Sequence, residues 1–191
     1  MTAEDKNMIA YHEAGHALVQ LLLPDVTDPL HKVTIIPRGR SLGVTHSLPE
    51  REKYITTKEE MLAVIMAALG GRAAEELVFD KLTTGAYSDF KKATDIARSM
   101  VCNYGMAPEL GSVLYGQLQG DFAYSQNTAE KIDREVQKII NKCYDKALNL
   151  LKTNRDKLDK LVQALLDKET MYAGEIYSLL GIEPRVEHSF L

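Results

Sequence analysis

Apolar residues recur along this chain with two different periods, and the changes of period mark out its elements. Thr2-Ala3-Glu4-Asp5 reads as a helix cap followed by acidic residues in the first turn, and Ile9, Ala10, Leu18, Leu21 and Leu22 continue a helical series to Leu23, where Pro24 stops it. The period then shortens. Val33-Thr34-Ile35-Ile36-Pro37 and Leu42-Gly43-Val44-Thr45-His46-Ser47-Leu48 flank the turn-rich Arg38-Gly39-Arg40-Ser41, which predicts a β-hairpin. Two strands alone are marginal, so the ribbon must pack on helices. Its open edge suits either a purely structural role or the backbone grip of an extended peptide, with Gly43, Val44 and Thr45 as candidate substrate contacts.

Helical spacing returns at Thr57-Lys58-Glu59-Glu60, a T-x-x-E capping box, and runs through Met61, Leu62, Val64, Ile65 and Leu69 to Leu77. This helix is apolar nearly all round and is expected to be buried, with Gly70-Gly71 permitting a close crossing against the small residues of the first helix. A loop of small and hydroxyl residues, Thr83-Thr84-Gly85-Ala86-Tyr87-Ser88-Asp89, leads into a helical run over residues 90–102, with Asp89 opening it. Residues 104–121 are glycine-dotted and irregular, which predicts a surface excursion. Ile132, Val136, Ile139, Ile140, Cys143, Ala147, Leu150 and Leu151 form one stripe of a long amphipathic helix. Asn154 is expected to cap a second such helix carrying Leu158, Leu161, Val162, Leu165 and Leu166, so that the two make an antiparallel helical hairpin. A short helix ends at Leu180 before Gly181. The expected fold is mainly α, one domain over residues 1–185 with a small β-ribbon and a C-terminal helical hairpin, followed by a loose tail over 186–191.

Composition narrows the class. With 191 residues, 45% hydrophobic and 26% charged, the chain can bury one substantial core. The longest nearly uninterrupted apolar run, residues 61–71, is too short to span a bilayer, and these residues contain no signal-peptide pattern of basic start and apolar middle. Met1 directly before that cap suggests a domain excised from a longer protein. A net charge of −4 without a basic stripe argues against a nucleic-acid partner, and Cys102 and Cys143, far apart, suit buried thiols in a reducing compartment.

The candidate chemistry lies in the first helix. Tyr11-His12-Glu13-Ala14-Gly15-His16-Ala17 contains H-E-x-x-H, which sets His12 and His16 on one helix face within reach of one metal ion. Zinc suits imidazole ligands and keeps a position open for water, and Glu13 stands beside it to take a proton. On the buried helix, Arg72 and Glu76 have the i,i+4 spacing of a salt bridge, while Glu75 or Glu76 alternatively serves as a metal ligand or as the acceptor behind a ligand histidine. Asp89 is either a helix-terminal group or a carboxylate presented rigidly to the metal.

Four motifs in order, His12-Glu13-Ala14-Gly15-His16, Leu30-His31-Lys32-Val33-Thr34-Ile35-Ile36-Pro37-Arg38-Gly39, Gly70-Gly71-Arg72-Ala73-Ala74-Glu75-Glu76 and Thr84-Gly85-Ala86-Tyr87-Ser88-Asp89, resemble the peptidase domain of the FtsH family of ATP-dependent zinc proteases. The resemblance covers Lys6 to about Gly181, with residues 116–128 shorter than in typical members. It implies a helical zinc-peptidase domain with one Zn2+ per subunit, His12, His16 and Asp89 as ligands, and Glu13 as base. It also implies a homo-hexamer with AAA+ and transmembrane parts upstream, acting on unfolded or membrane-extracted polypeptides at the cytoplasmic side of a bacterial inner membrane or the equivalent organelle face. These residues contain no G-x-x-x-x-G-K-[ST] loop, so ATP would be used only by that upstream module. Two competing expectations are a self-sufficient zinc peptidase with a glutamate third ligand and an idle assembly module; the intact motif weighs against the second, since packing does not require Glu13.

Overall fold

The computed structural model describes residues 2–37, 42–49, 53–116 and 124–185. Helix α1, Ala3–Leu21, starts on a reciprocal cap in which Thr2 Oγ1 accepts from the Asp5 N–H at 3.1 Å and Asp5 Oδ2 accepts from the Thr2 N–H at 2.8 Å. Helix α2, Lys58–Phe79, starts on the same device at Thr57 and Glu60 and ends on Asp80 in the left-handed region, φ 49°. The two helices cross where their small residues meet. A Cβ on Gly15 would meet the Gly70 carbonyl oxygen and lie 2.7 Å from Ala74 Cβ, and one on Gly70 would lie 2.7 Å from the Gly15 carbonyl oxygen. Glycine at both positions therefore sets the distance between the helices, as the sequence predicts.

Around this crossing, α3 (Tyr87–Cys102) packs on α2, the long α4 (Gln126–Thr153) packs on α2 and α3, and α5 (Arg155–Lys168) packs on α1. The expected C-terminal pair is thus held by the helices it embraces more than by its own seam. Asn154 stands at the N-cap of α5 as expected but makes no side-chain cap bond there: its side-chain amide donates to the Leu150 carbonyl at 2.9 Å and so closes α4. Leu18, Ile65, Met100, Ile132, Leu158 and Leu165 are fully buried in one continuous core. Helix α6, Ala173–Leu180, ends on Gly181 at φ 63°.

The ribbon differs from expectation in having a third strand. Strands β1 (Leu30–Thr34) and β2 (Val44–Ser47) are antiparallel, and β3 (Thr170–Tyr172) pairs antiparallel with β1, giving the order β2-β1-β3. A three-residue strand directly after a helix has no periodicity to announce it, and its pairing ties the chain's end to the ribbon. The excursion after α3 is anchored rather than wholly superficial, through a 3-10 turn at Pro108–Leu110 whose Leu110 is buried. The turn at Arg38–Ser41, most of the segment over 116–128 and the tail over 186–191 lie outside the described residues. Cys102 and Cys143 are buried and unpaired, and burial pushes the Cys143 thiol up to about 11. Among the described residues no helix is long and apolar enough to cross a membrane.

Candidate metal centre

One turn apart on α1, the rings of His12 and His16 meet edge to face, with their Nε2 atoms 3.0 Å apart. Both outer nitrogens are engaged elsewhere. His16 Nδ1 lies 2.8 Å from the Ala67 carbonyl oxygen, which can only accept, so Nδ1 carries the proton and Nε2 a bare lone pair. His12 Nδ1 lies 2.6 Å from Glu75 Oε1, which imposes the same tautomer on a neutral ring. Asp89 Oδ2 completes the group, 3.2 Å from His12 Nε2 and 3.5 Å from His16 Nε2. With both rings neutral, three acceptors thus converge with no donor among them. Their separations match one face of a tetrahedron, whose edges are about 3.3 Å for bonds of about 2.0–2.1 Å to zinc. Among the described residues this is the single group of three with metal-ligand geometry.

Electrostatics agree with a cation at that point. Burial alone would lower the His12 pKa, but the Asp89 and Glu75 carboxylates outweigh it and raise it to about 9, so without metal a proton takes the cation's place. Asp89 is also buried enough to be pushed up, yet His12 and His16 hold it well below the usual carboxylate range. Glu75 is lowered against its own burial by His12, then by Thr83 and Arg72. A Cβ on Gly71 would lie 2.6 Å from His12 Cε1 and 2.7 Å from both His12 Nε2 and His16 Nε2, so only glycine lets both imidazoles rest on α2.

The candidate acids separate by direction. Asp89 is the third residue of α3, within the first turn rather than at the cap, where the helix dipole favours its charge. Glu75 reaches the nitrogen of His12 that faces away from the group of three, and Glu76, one residue on, turns to α4 and accepts from the Tyr144 hydroxyl. The expected Arg72–Glu76 pair does not form. Arg72 instead donates to the Thr83 carbonyl, stacks at 4.9 Å over the Phe90 ring, and approaches Glu75 Oε2 at 3.8 Å.

Glu13 is buried beside this group. Thr45 Oγ1 lies 2.8 Å from Glu13 Oε2 and 3.2 Å from the Glu13 carbonyl oxygen, and a Cβ on Gly43 would lie 2.8 Å from Glu13 Oε1. Two of the three ribbon residues expected at substrate therefore lie against Glu13. Sequence reasoning did not link them to Glu13, although their i,i+2 spacing puts them on one face of an extended segment. Leu42, Gly43, Val44 and Thr45 line a cleft of about 1170 Å3 together with Ile9, Val64 and the residues of the group of three. Among the described residues β2 pairs with β1 alone, so its other side is a sheet edge.

The family profile described as "Peptidase family M41" matches residues 1–179. An ATP-dependent zinc metalloprotease FtsH of Thermobaculum terrenum is 48% identical over 192 residues, which covers 95% of this chain and 30% of that protein. Proteins of the same name from Thermotoga maritima and Bacillus subtilis are each 43% identical, covering 96% and 100% of this chain and 32% and 31% of their own length. The chain thus spans about a third of the length of the curated relatives it matches.

Proposed function

The chain belongs to peptidase family M41, and from that premise we propose that residues 1–185 form a zinc endopeptidase domain in which His12, His16 and Asp89 hold the metal and Glu13 is the base. The observation that carries this reading is the convergence of His12 Nε2, His16 Nε2 and Asp89 Oδ2, three acceptors at zinc spacing with Glu13 alongside. When bound there, zinc supplies Lewis acidity that polarises the scissile carbonyl and makes water nucleophilic near neutral pH. Glu13 takes the proton of the attacking water on its carboxylate and returns it to the leaving amine. Thr45 holds Glu13 Oε2 so that the carboxylate keeps one orientation through both transfers. Glu75 acts behind His12, accepting from Nδ1 so that Nε2 is the nitrogen turned to the metal and the ring keeps the ligand orientation, whereas Glu76 supports the fold through Tyr144.

An extended substrate lies along β2, gripped by backbone hydrogen bonds at the sheet edge, so cleavage has low sequence specificity. The substrates are unfolded or membrane-extracted polypeptides. ATP-driven unfolding and membrane attachment belong to regions outside these 191 residues, and the peptidase domain faces the cytoplasm or the equivalent organelle side. The domain works in a closed homo-hexamer, because one heterologous interface repeated around a ring encloses the cleavage sites. Exposed apolar residues such as Tyr54, Ile55 and Leu114 supply surface for such contacts. Hydrolysis of an unfolded protein, with and without a zinc chelator, tests the activity. Loss of cleavage on chelation and its return with zinc support the proposal; full cleavage in metal-free protein contradicts it.

A further inference from the structure

The ligands of the proposed centre rest on unequal supports, and Arg72 stands between them. His12 and His16 stand on one helix packed closely against α2, but Asp89 lies in the first turn of α3 after a lead-in where Lys81, Leu82, Thr84 and Gly85 are exposed and Ala86 alone is fully buried. The first turn of α3 and the buried Ala86 fix the backbone at Asp89, while the exposed residues before it leave the lead-in to that turn dependent on ties to α2.

Arg72, from the middle of α2, reaches both ends of the segment. Its guanidinium donates to the Thr83 carbonyl before the turn and lies over the Phe90 ring immediately after Asp89. Arg72 is buried, and its Nε is 3.8 Å from Glu75 Oε2, too long for a hydrogen bond. That Nε is the one buried side-chain nitrogen or oxygen without a hydrogen-bond partner among the described residues. A buried guanidinium beside a carboxylate would ordinarily make a two-point fork to it. Here the fork is turned toward the loop at the expense of the carboxylate. Thr83 adds a second tie, with Oγ1 donating to Glu75 Oε2 at 3.0 Å and accepting from the Gly85 N–H at 3.1 Å.

We infer that Arg72 is a positioning residue for the metal centre: by clamping Thr83 and Phe90 on either side of Asp89, it fixes the third ligand against the two histidines. This rests on the reading of Asp89 as a ligand. Both the planar fork and the stacking face are needed, so lysine, which keeps the charge alone, does not substitute.

The test measures zinc dissociation constants by competition with a chromophoric chelator, in the full chain, for the parent, Arg72→Met, Arg72→Lys, Asp89→Asn and the Arg72→Met/Asp89→Asn double variant. The absorption spectrum of the cobalt-substituted forms is the second readout. Arg72→Met is expected to weaken zinc by roughly 10–100-fold and to move the cobalt spectrum toward that of Asp89→Asn. Arg72→Lys should lose nearly as much, and in the Asp89→Asn background Arg72→Met should cost nothing further, because the group it positions is already gone. Parent-like affinity in folded Arg72→Met, or full recovery with lysine, overturns the inference. So does an equal loss in both backgrounds, which marks a general structural effect. If Arg72→Met does not fold, Phe90→Leu replaces it, with a smaller loss expected in the parent and none in the Asp89→Asn background. Parent-like zinc binding by Asp89→Asn overturns the ligand assignment itself, which is a separate failure.

Discussion

The α1–α2 crossing and the loop that delivers Asp89 serve one centre by opposite means. At the crossing, Gly15, Gly70 and Gly71 bring two backbones so close that no side chain fits between them, and the histidine rings lie on α2 as on a floor. In the loop, a Cβ on Gly85 would meet nothing closer than Thr83 Oγ1 at 3.3 Å, and order comes from a few polar ties to α2. Packing fixes the first region and directed bonds fix the second. The base and two ligands sit where displacement is most costly, and the third ligand sits where a few contacts decide its position.

The largest effect is expected on the packed side. Glu13→Gln keeps the shape of the site and the metal but removes the proton acceptor, so turnover of an unfolded substrate should fall roughly 10²–10⁴-fold with zinc content unchanged. Parent-like turnover would remove Glu13 from the chemistry. Next comes the crossing: Gly15→Val should lower unfolding free energy by about 3 kcal/mol, because its neighbours are a backbone carbonyl and Ala74 Cβ, neither able to give way. The urea midpoint reads this directly, and a change under 1 kcal/mol would show that the helices do not need their closeness. Thr45→Val, which removes the hydroxyl from Glu13 Oε2, should lower kcat by about tenfold with zinc affinity unchanged, as expected for one hydrogen bond to a charged group. A zinc loss in this variant would mean that Thr45 supports the metal instead. The smallest effect belongs to the loop. Gly85→Ala should shift stability by no more than about 1 kcal/mol, since Thr83 Oγ1 must give by only a few tenths of an ångström, and a loss as large as that of Gly15→Val would erase the contrast between the two regions.

The packed side was also the legible one. The i,i+4 histidines, the Gly70-Gly71 crossing and the caps at Thr2 and Thr57 are written in local spacing, and local spacing is what a helix conserves on folding. Asp89 was different, because nothing in residue spacing ranks it above Glu75 or Glu76, and only family resemblance singled it out. On α2 the choice between those two glutamates is a rotation of about 100° per residue. That rotation sends Glu75 to α1 and Glu76 to α4, and it depends on which helix lies on which side. Arg72 went astray for the same reason: its i,i+4 partner was available in sequence, but α3 and the loop offered a carbonyl and an aromatic face. Strand β3 and the double role of Asn154 likewise depend on partners distant in sequence or on a turn shared by two helices.

The account stands or falls on which atoms hold the metal. A crystal structure of the zinc-loaded protein, with anomalous data on both sides of the zinc absorption edge, locates the ion without assumptions about its ligands. One zinc peak is predicted at about 2.0–2.2 Å from His12 Nε2, His16 Nε2 and an Asp89 carboxylate oxygen, with Glu75 bonded only to His12 Nδ1. A zinc peak bonded to Glu75 or Glu76 and remote from Asp89 would contradict it.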